Sequence, residues 1–171
     1  MQQAEKLQTI TDELGGGRSG RYATTLTLKK ELHWSSIRLN HTNAADIDTD
    51  LSACFDNMIE NVTNLACRTH GMPKAYADIH FATTKSTHYH MCTAYGVSKS
   101  FNRHTEQHPI HGSGQGAGDS PTRWVLLSNG ITKAYNTKAK LCITHNPDST
   151  IQLKQGPDSF LDDTSVITKA E

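Results

Sequence analysis

The sequence predicts one α+β domain, in which a small antiparallel sheet is covered by helices. Segments with the apolar spacing of helices alternate with short segments of strand character. In addition, turn-forming residues at 146–149 and the acidic pair Asp162-Asp163 each lie between two strand-like runs, which is typical of antiparallel hairpins. The length of 171 residues suits one domain or slightly more.

Each element follows from local sequence features. Gly71 suits the position just past a helix, and Pro73 suits the first turn of the next one. Apolar residues three and four positions apart indicate the helices. We expect helices over residues 22–34, 55–68, 73–85 and 121–138. We expect strand structure over residues 44–50, 88–97, 141–144, 151–153 and 159–167, the last of these bent at its two acids.

Charge is balanced in total but uneven along the chain. Lys and Arg number 17, as do Asp and Glu, which excludes a strongly basic or acidic tail. Residues 41–60 and 143–171 are acidic, whereas residues 61–142 between them are basic. This pattern suits a fold in which the two acidic segments come together around a divalent cation and the basic segment forms a surface that binds polyanions. Ordinary solvated faces are the alternative.

The chain has no apolar run long enough for a membrane span and no signal-peptide pattern at residues 1–14. We therefore expect an intracellular protein, nuclear or cytoplasmic, with no membrane partner. The four cysteines are widely spaced and form no CxxC pair, which favours buried thiols over a disulfide or zinc framework.

Three local motifs carry the functional argument. In Phe160-Leu161-Asp162-Asp163, two carboxylates stand within an apolar run, which is costly unless they lie at a tight turn or bind a cation. An exposed turn is the simpler alternative. In residues 50–56, DLSACFD, Asp50 closes a strand, while Asp56 is explained by the dipole of a following helix. In residues 112–121, GSGQGAGDSP, the glycines allow backbone to approach a ligand before a helix, or merely form a flexible connection.

Taken in this order, the motifs resemble those of reverse transcriptases. Residues 50–56 resemble the first catalytic motif, and residues 160–163 resemble the aromatic-x-Asp-Asp box. Gln115-Gly116, followed by Ser120-Pro121, resembles the QGxxxSP motif. The segment 16–21, GGRSGR, is similar to a fingers motif of non-LTR retrotransposon enzymes, although Glu13-Leu14 stands where that motif usually opens with Gln.

The resemblance implies a polymerase palm with part of the fingers. Residues 1–43 would be partial fingers and residues 44–171 the palm, which stops soon after the Asp-Asp hairpin and has no thumb. The implied activity is RNA-directed DNA synthesis, the transfer of dNTPs onto a primer 3'-hydroxyl with two Mg2+ or Mn2+ ions. Asp50, Asp162 and Asp163 would be the catalytic metal ligands, in keeping with the preference of Mg2+ for oxygen.

Further residues are assigned by the same resemblance. Phe55 matches an aromatic gate that collides with a ribose 2'-hydroxyl, although it also suits the first core position of a helix. Gln115 and Gly116 would contact the incoming nucleotide and its template base. Arg18 and Arg21 would hold phosphates, for which guanidinium groups are well shaped, or would be solvated loop residues.

Two other functions stay open at this point. The chain is also compatible with an inactive retroelement relic, and without a thumb we expect it to show no primer extension by itself. A zinc- or nucleic-acid-binding module is the third hypothesis, because His88, His90 and Cys92 alternate and would share one face of a strand. Under the polymerase hypothesis the partners are an RNA template, a DNA primer and dNTPs.

Overall fold

The computed structural model describes residues 1–114, 116–139, 141–146 and 148–169. Helices and short antiparallel sheets alternate along the chain, so the α+β class is confirmed. The helices are α1 (Gln2–Lys6), α2 (Ala23–Leu39), α3 (Glu60–Thr69), α4 (Lys74–Ser86) and α5 (Ser120–Lys138). The strands are β1 (Ala44–Asp50), β2 (His88–Thr93), β3 (Gly96–Arg103), β4 (Cys142–His145), β5 (Gln152–Gln155), β6 (Asp158–Phe160) and β7 (Asp163–Lys169).

The central sheet has the strand order β1-β7-β6 and is antiparallel throughout. Strand β1 pairs with β7 along its whole length, from Ala44 opposite Lys169 to Asp50 opposite Asp163. Strands β6 and β7 are joined by a two-residue turn at 161–162. The predicted strand at 44–50 and the predicted bend at the acidic pair are therefore both confirmed.

Helix α2 packs against the far end of this sheet. Ile37 of α2, Ile167 of β7 and Cys142 of β4 form a buried cluster, and Trp34 and Ala44 pack against it. This contact joins α2 to the sheet and to the β4–β5 hairpin, which was also expected from the sequence. The packing leaves the other end of the β1–β7 ladder, which carries the acids, free of this core.

A second core lies beneath the Asp-Asp turn. Cys54, Met58 and Trp124 form a buried cluster, with Phe55 and Leu161 packed against it. Through these contacts α5 supports both the turn at 161–162 and the segment that follows β1. The sequence motifs at 50–56 and 160–163 thus meet over one helix.

The N-terminal segment extends the edge of the central sheet. Leu14 forms a parallel bridge with Ser159 of β6. The backbone N–H of Ser159 donates to the carbonyl of Glu13, and that of Gly15 donates to the carbonyl of Ser159, both at 2.8 Å. Residues 13–16, at the start of the proposed fingers motif, are therefore held beside the hairpin that carries the acids.

Helix α3 begins at Glu60, so the prediction of a helix from residue 55 was wrong. The chain forms a turn over residues 52–57, and Ala53 at its start has φ +52°. The carbonyls of Phe55 and Met58 accept hydrogen bonds from Ser113 and Gly112. Long-range contacts therefore set the backbone over 51–58, in spite of its helical apolar spacing.

Two further predictions need correction. Residues 88–103 form a hairpin of two strands, not one strand over 88–97, because the chain reverses at Ala94-Tyr95 and Gly96 takes φ +120°. Helix α2 continues to Leu39, beyond the expected end at residue 34.

The four cysteines are free thiols, as expected. Cys92 is exposed, however, while the other three are buried. In the described ranges, no helix is both long and apolar enough to cross a lipid bilayer.

Candidate functional site

Strand β1 presents three aspartates on one face of the central sheet. Asp46, Asp48 and Asp50 alternate along the strand, so their side chains point to the same side. Lys30 of α2 pairs with Asp46 at 2.7 Å and with Asp48 at 2.8 Å. The hydrogen bond from Lys30 holds the pKa of Asp48 below its usual value. Two of the three aspartates therefore share one lysine as their ion-pair partner.

Asp50, the third, faces another acid. It lies directly opposite Asp163 in the β1–β7 register, and directly opposed residues share a face of the sheet. The backbone N–H of Leu51 donates to the carbonyl of Asp162 at 3.2 Å, so the turn residue is tied to the end of β1. The structure thus places Asp50 opposite Asp163 and ties the backbone of Asp162 to the end of β1, whereas the side chain of Asp162 is not part of the cleft that the other two line.

Among the described residues, no hydrogen bond or ion pair engages the carboxylates of Asp50, Asp162 and Asp163. Like charges directly opposed on a sheet are destabilising. The arrangement therefore costs free energy of folding unless a cation is shared between the acids.

The opposed pair opens into a cleft between α2 and the sheet. The cleft has a volume of about 400 Å3, and Asp50 and Asp163 lie in its lining. Lys30 and Leu26 of α2 and Phe160 of β6 form other parts of its wall. The acids are thus accessible from a concave surface.

The turn that carries Asp162 is held rigidly. Leu161 has φ +60°, a left-handed conformation that crowds the Cβ of an L residue and persists only where its surroundings impose it. Trp124 Nε1 donates a hydrogen bond to the carbonyl of Leu161 at 2.8 Å. On the other side Gly16 approaches so closely that a Cβ there would lie 2.5 Å from the backbone N of Leu161. Neither contact was predictable from the sequence.

The glycine-rich loop before α5 is attached to the segment after β1. Gly112 donates its N–H to the carbonyl of Met58 at 2.8 Å, and Ser113 donates to the carbonyl of Phe55 at 3.1 Å. Gly112 has φ +89°, and a Cβ on it would lie 2.5 Å from the carbonyl oxygen of Phe55. Only glycine fits this close approach.

The other end of the same loop is attached to the start of α5. The hydroxyl of Ser113 donates to Ser120 Oγ at 2.7 Å, and Ser120 Oγ lies 3.0 Å from the carbonyl of Gly114. Gly116 has φ +93°, and apart from its chain neighbours no described residue lies within 4 Å of the position of a Cβ. Gln115, the other predicted nucleotide contact, lies outside the described residues.

Phe55 is half-buried beside this loop. Its ring meets that of Trp124 edge to face, with centroids 6.5 Å apart and planes at 77°. It lies in the turn segment between β1 and α3 and not in a helix, so the alternative that it opens the helix core is wrong. It does pack against the buried cluster beneath the Asp-Asp turn.

The two predicted phosphate-binding arginines have different surroundings. Arg18 is buried, and its guanidinium makes two hydrogen bonds of 2.7 Å to the carboxylate of Glu5 and two more to the carbonyls of Thr11 and Leu14. These contacts favour a structural role for Arg18, which ties α1 to the glycine-rich turn. Arg21 is exposed and pairs with Asp12 at 2.5 Å on the surface, where it can exchange partners.

Part of the cleft was missed by the sequence reasoning. Asp158 and Gln155 line the cleft beside the acids and are buried. Asp158 pairs with Lys29 at 2.7 Å, yet burial raises the pKa of Asp158 to about 6, against the lowering effect of that lysine. Asp158 Oδ2 and both amide atoms of Gln155 have no hydrogen-bond partner among the described residues.

The donor set fits a hard divalent cation, since it consists of carboxylates at one edge of a cleft. Among the described residues, no three His, Cys, Asp or Glu side chains are grouped closely enough to hold an ion as they stand. Opposed Cα atoms in an antiparallel pair lie only about 5 Å apart, however. The backbones of Asp50 and Asp163 are therefore close neighbours, although their carboxylates do not form an ion site with a third acid in the described part of the chain.

The histidine-rich alternative has less support as a zinc site. His88 is stacked on Phe101, with ring centroids 4.1 Å apart, and His90 Nδ1 lies 3.0 Å from the carbonyl of Ser98. Both rings are thus engaged within the β2–β3 hairpin.

No protein-family model matches this chain, and no curated protein matches its sequence significantly. The resemblance to reverse transcriptases therefore stays a prediction based on the motifs and their order.

Proposed function

We propose that this chain is the palm, with part of the fingers, of an RNA-directed DNA polymerase of the non-LTR retrotransposon type. One observation carries the proposal. Asp50 lies opposite Asp163 where β1 ends, and the backbone of Asp162, in the adjoining turn, is hydrogen-bonded to Leu51. Their carboxylates have no partner in the described part of the chain, whereas the other two aspartates of β1 are both paired with Lys30.

The chemistry of nucleotidyl transfer gives a reason for leaving the carboxylates of Asp50, Asp162 and Asp163 without a protein partner. Two bound Mg2+ ions would stabilise charge on the attacking 3'-hydroxyl and on the leaving oxygen. In this proposal Asp50 and Asp162 hold the ions and Asp163 lies beside them. Trp124 and Gly16 keep the backbone of the turn in one conformation, which preserves the alignment on which such transfer depends.

The position of Phe55 supports a role in the choice of sugar. The loop at 112–114 is hydrogen-bonded to the backbone of Phe55 and Met58, so the predicted nucleotide-contacting loop and the predicted gate form one unit. In this proposal the ring of Phe55 lies under the sugar and excludes a ribose 2'-hydroxyl. The open backbone at Gly116 leaves room for the nucleotide.

Primer extension on an RNA template tests the proposal. The chain is joined to fingers and thumb segments of a reverse transcriptase, whose phosphate contacts hold the primer–template duplex. The chimera should add deoxynucleotides in Mg2+, and Asp162→Asn should abolish the addition. Asp48→Asn is the matched control, since it removes one charge from the same sheet face but from an acid already paired with Lys30.

Three outcomes are informative. Extension that persists in Asp50→Asn and Asp162→Asn would contradict the assigned carboxylates. A chimera that binds the primer–template but extends nothing would favour an inactive retroelement relic. Loss of activity in Asp48→Asn to the same degree would show that total charge, and not these three residues, governs activity.

A further inference from the structure

Strands β2 and β3 form a hairpin that contacts mainly itself. The two strands pair over residues 88–103, and every side chain of β2 is exposed. Met91 is 71% exposed, Val97 64% and Phe101 45%. Because an isolated two-stranded hairpin is at best marginally stable in water, this exposed apolar surface indicates that a partner covers it.

One face of the hairpin carries three neighbouring rings, of which two are stacked. Opposed residues share a face, so His88 and His90 of β2 lie on the same side as Arg103 and Phe101 of β3. The rings of His88 and Phe101 are stacked, with centroids 4.1 Å and planes 26° apart, and the His90 ring lies 5.7 Å from that of Phe101. We call the three rings of His88, Phe101 and His90 the ring platform.

The charge around the ring platform is positive. Residues 79–105 contain no Asp or Glu but include Lys85, Lys99 and Arg103. In the described part of the chain, none of these three cations belongs to an ion pair. Lys85 lies over the ring of Phe81 in α4, 4.4 Å from its centroid, so Lys99 and Arg103 are the cations on the strand that carries Phe101. Cations without an ion-pair partner thus lie on the same hairpin as exposed rings, and this surface is complementary to an anion that also has flat apolar faces.

We propose that the β2–β3 hairpin binds a single strand of RNA, with bases stacked on the ring platform and phosphates held by Arg103 and Lys99. Single strands expose base faces that a duplex hides, and aromatic platforms with nearby cations are how proteins bind them. The proposal rests on the proposed function only where it identifies the strand as template. Binding itself needs neither the three aspartates nor a metal ion.

Fluorescence anisotropy of the full chain with a labelled uridine-rich RNA tests the proposal. The RNA is a single strand of about 12 nucleotides, long enough to cover the hairpin, and the buffer contains EDTA. Phe101→Leu should weaken binding about tenfold by removing the central ring, and Phe101→Tyr should restore it. Tyr76→Ala, at another exposed aromatic residue, is the matched control and should bind like the parent.

A salt series separates the phosphate contacts from stacking. Arg103→Gln should weaken binding and reduce the slope of log Kd against log salt by about one. Arg38→Gln, at an exposed arginine near the end of α2, should change neither. Since Arg103→Gln leaves the stacked rings in place, it tests the proposal even if Phe101→Leu disturbs the hairpin.

Several results would overturn the proposal. These are unchanged RNA affinity in both Phe101→Leu and Arg103→Gln, equal losses in the two controls, or binding of duplex RNA as tight as that of the single strand. A dimer seen by sedimentation that Phe101→Leu dissociates, without RNA binding, would make the platform a self-association surface instead. Asp50→Asn should bind RNA like the parent, so failure of the polymerase proposal and failure of this one are distinguishable.

Discussion

Asp50 and Asp163 lie directly opposite each other at the end of the β1–β7 ladder, on the face that opens into the cleft. Two residues earlier on β1, Asp48 lies opposite Ser165 and is paired with Lys30. Two successive aspartates on one face of β1 therefore differ in their surroundings. Asp48 is paired with a lysine, whereas Asp50 faces another aspartate.

This contrast predicts opposite stability effects for two similar substitutions. In EDTA, Asp163→Asn should raise the free energy of unfolding by roughly 0.2–1 kcal/mol, because it removes like-charge repulsion across the strand pair. Asp48→Asn should lower it slightly, since an exposed ion pair with Lys30 is lost. Urea denaturation measures both. A decrease for Asp163→Asn would mean that its carboxylate is already compensated.

The glycines predict a second pair of opposite effects. Gly16→Ala should be strongly destabilising, because its Cβ would lie 2.5 Å from the backbone N of Leu161 and would displace the turn that carries Asp162. Gly130→Ala should stabilise by about 0.5–1 kcal/mol, since this exposed position within α5 has nothing within 4 Å of a new Cβ. Thermal denaturation checks both. A neutral Gly16→Ala would show that the contact with Leu161 is loose.

Two buried groups predict opposing pH dependences. Burial raises the pKa of Asp158 from 3.8 to about 6, so the folded chain holds its proton more strongly than the unfolded chain. Its contribution to stability is present below pH 4 and is lost as the pH rises to 6.

Burial, with Lys29 and Lys169 nearby, lowers the pKa of His33 from 6.5 to about 4. That contribution is present above pH 6.5 and is lost as the pH falls to 4.

Substitution of either group should therefore leave only the pH dependence of stability that is due to the other group. Relative to the parent, Asp158→Asn should gain stability as the pH rises from about 4 to 6, by on the order of 2–3 kcal/mol. His33→Gln should show the reverse trend over the same interval. Urea titrations across this interval measure the differences. Parallel curves for parent and variants would mean that neither group has a displaced pKa.

The sugar gate gives a prediction for activity. In the chimera, Phe55→Val should allow ribonucleotides to be added alongside deoxyribonucleotides, because a smaller side chain leaves space at the 2' position. The ring also packs against Trp124. Overall activity should therefore be compared with that of Leu127→Val, which removes one methylene group from the same apolar cluster. Unchanged discrimination in Phe55→Val would make Phe55 a packing residue only.

The acidic hairpin was predictable from the sequence because its signal is local. Asp162 and Asp163 interrupt an apolar run, and a tight turn is the ordinary solution to that conflict. The start of α3 was not predictable in the same way, since hydrogen bonds from Gly112 and Ser113, more than fifty residues away, determine the backbone at Phe55. Local periodicity carries no information about such contacts.

The surroundings of the site residues were also beyond the sequence. Arg18 has the residue type of a phosphate ligand, and only the fold shows that Glu5 occupies its guanidinium. Likewise, Lys30 is an unremarkable helix residue until α2 lies beside β1 and pairs it with Asp46. Residue type predicted which groups could do the chemistry, whereas packing decided which of them are free to do it.

Manganese binding tests the central claim most directly, because it needs neither a thumb nor a template. Free Mn2+ in a titration of the 171-residue chain is measured by electron paramagnetic resonance. We predict saturable binding that weakens at least about tenfold in Asp50→Asn and in Asp162→Asn, as each removes a charged ligand, and that is unchanged in Asp48→Asn. Absence of binding at millimolar Mn2+, or equal affinity in all three variants and the parent, would contradict the assignment of these aspartates as a metal site.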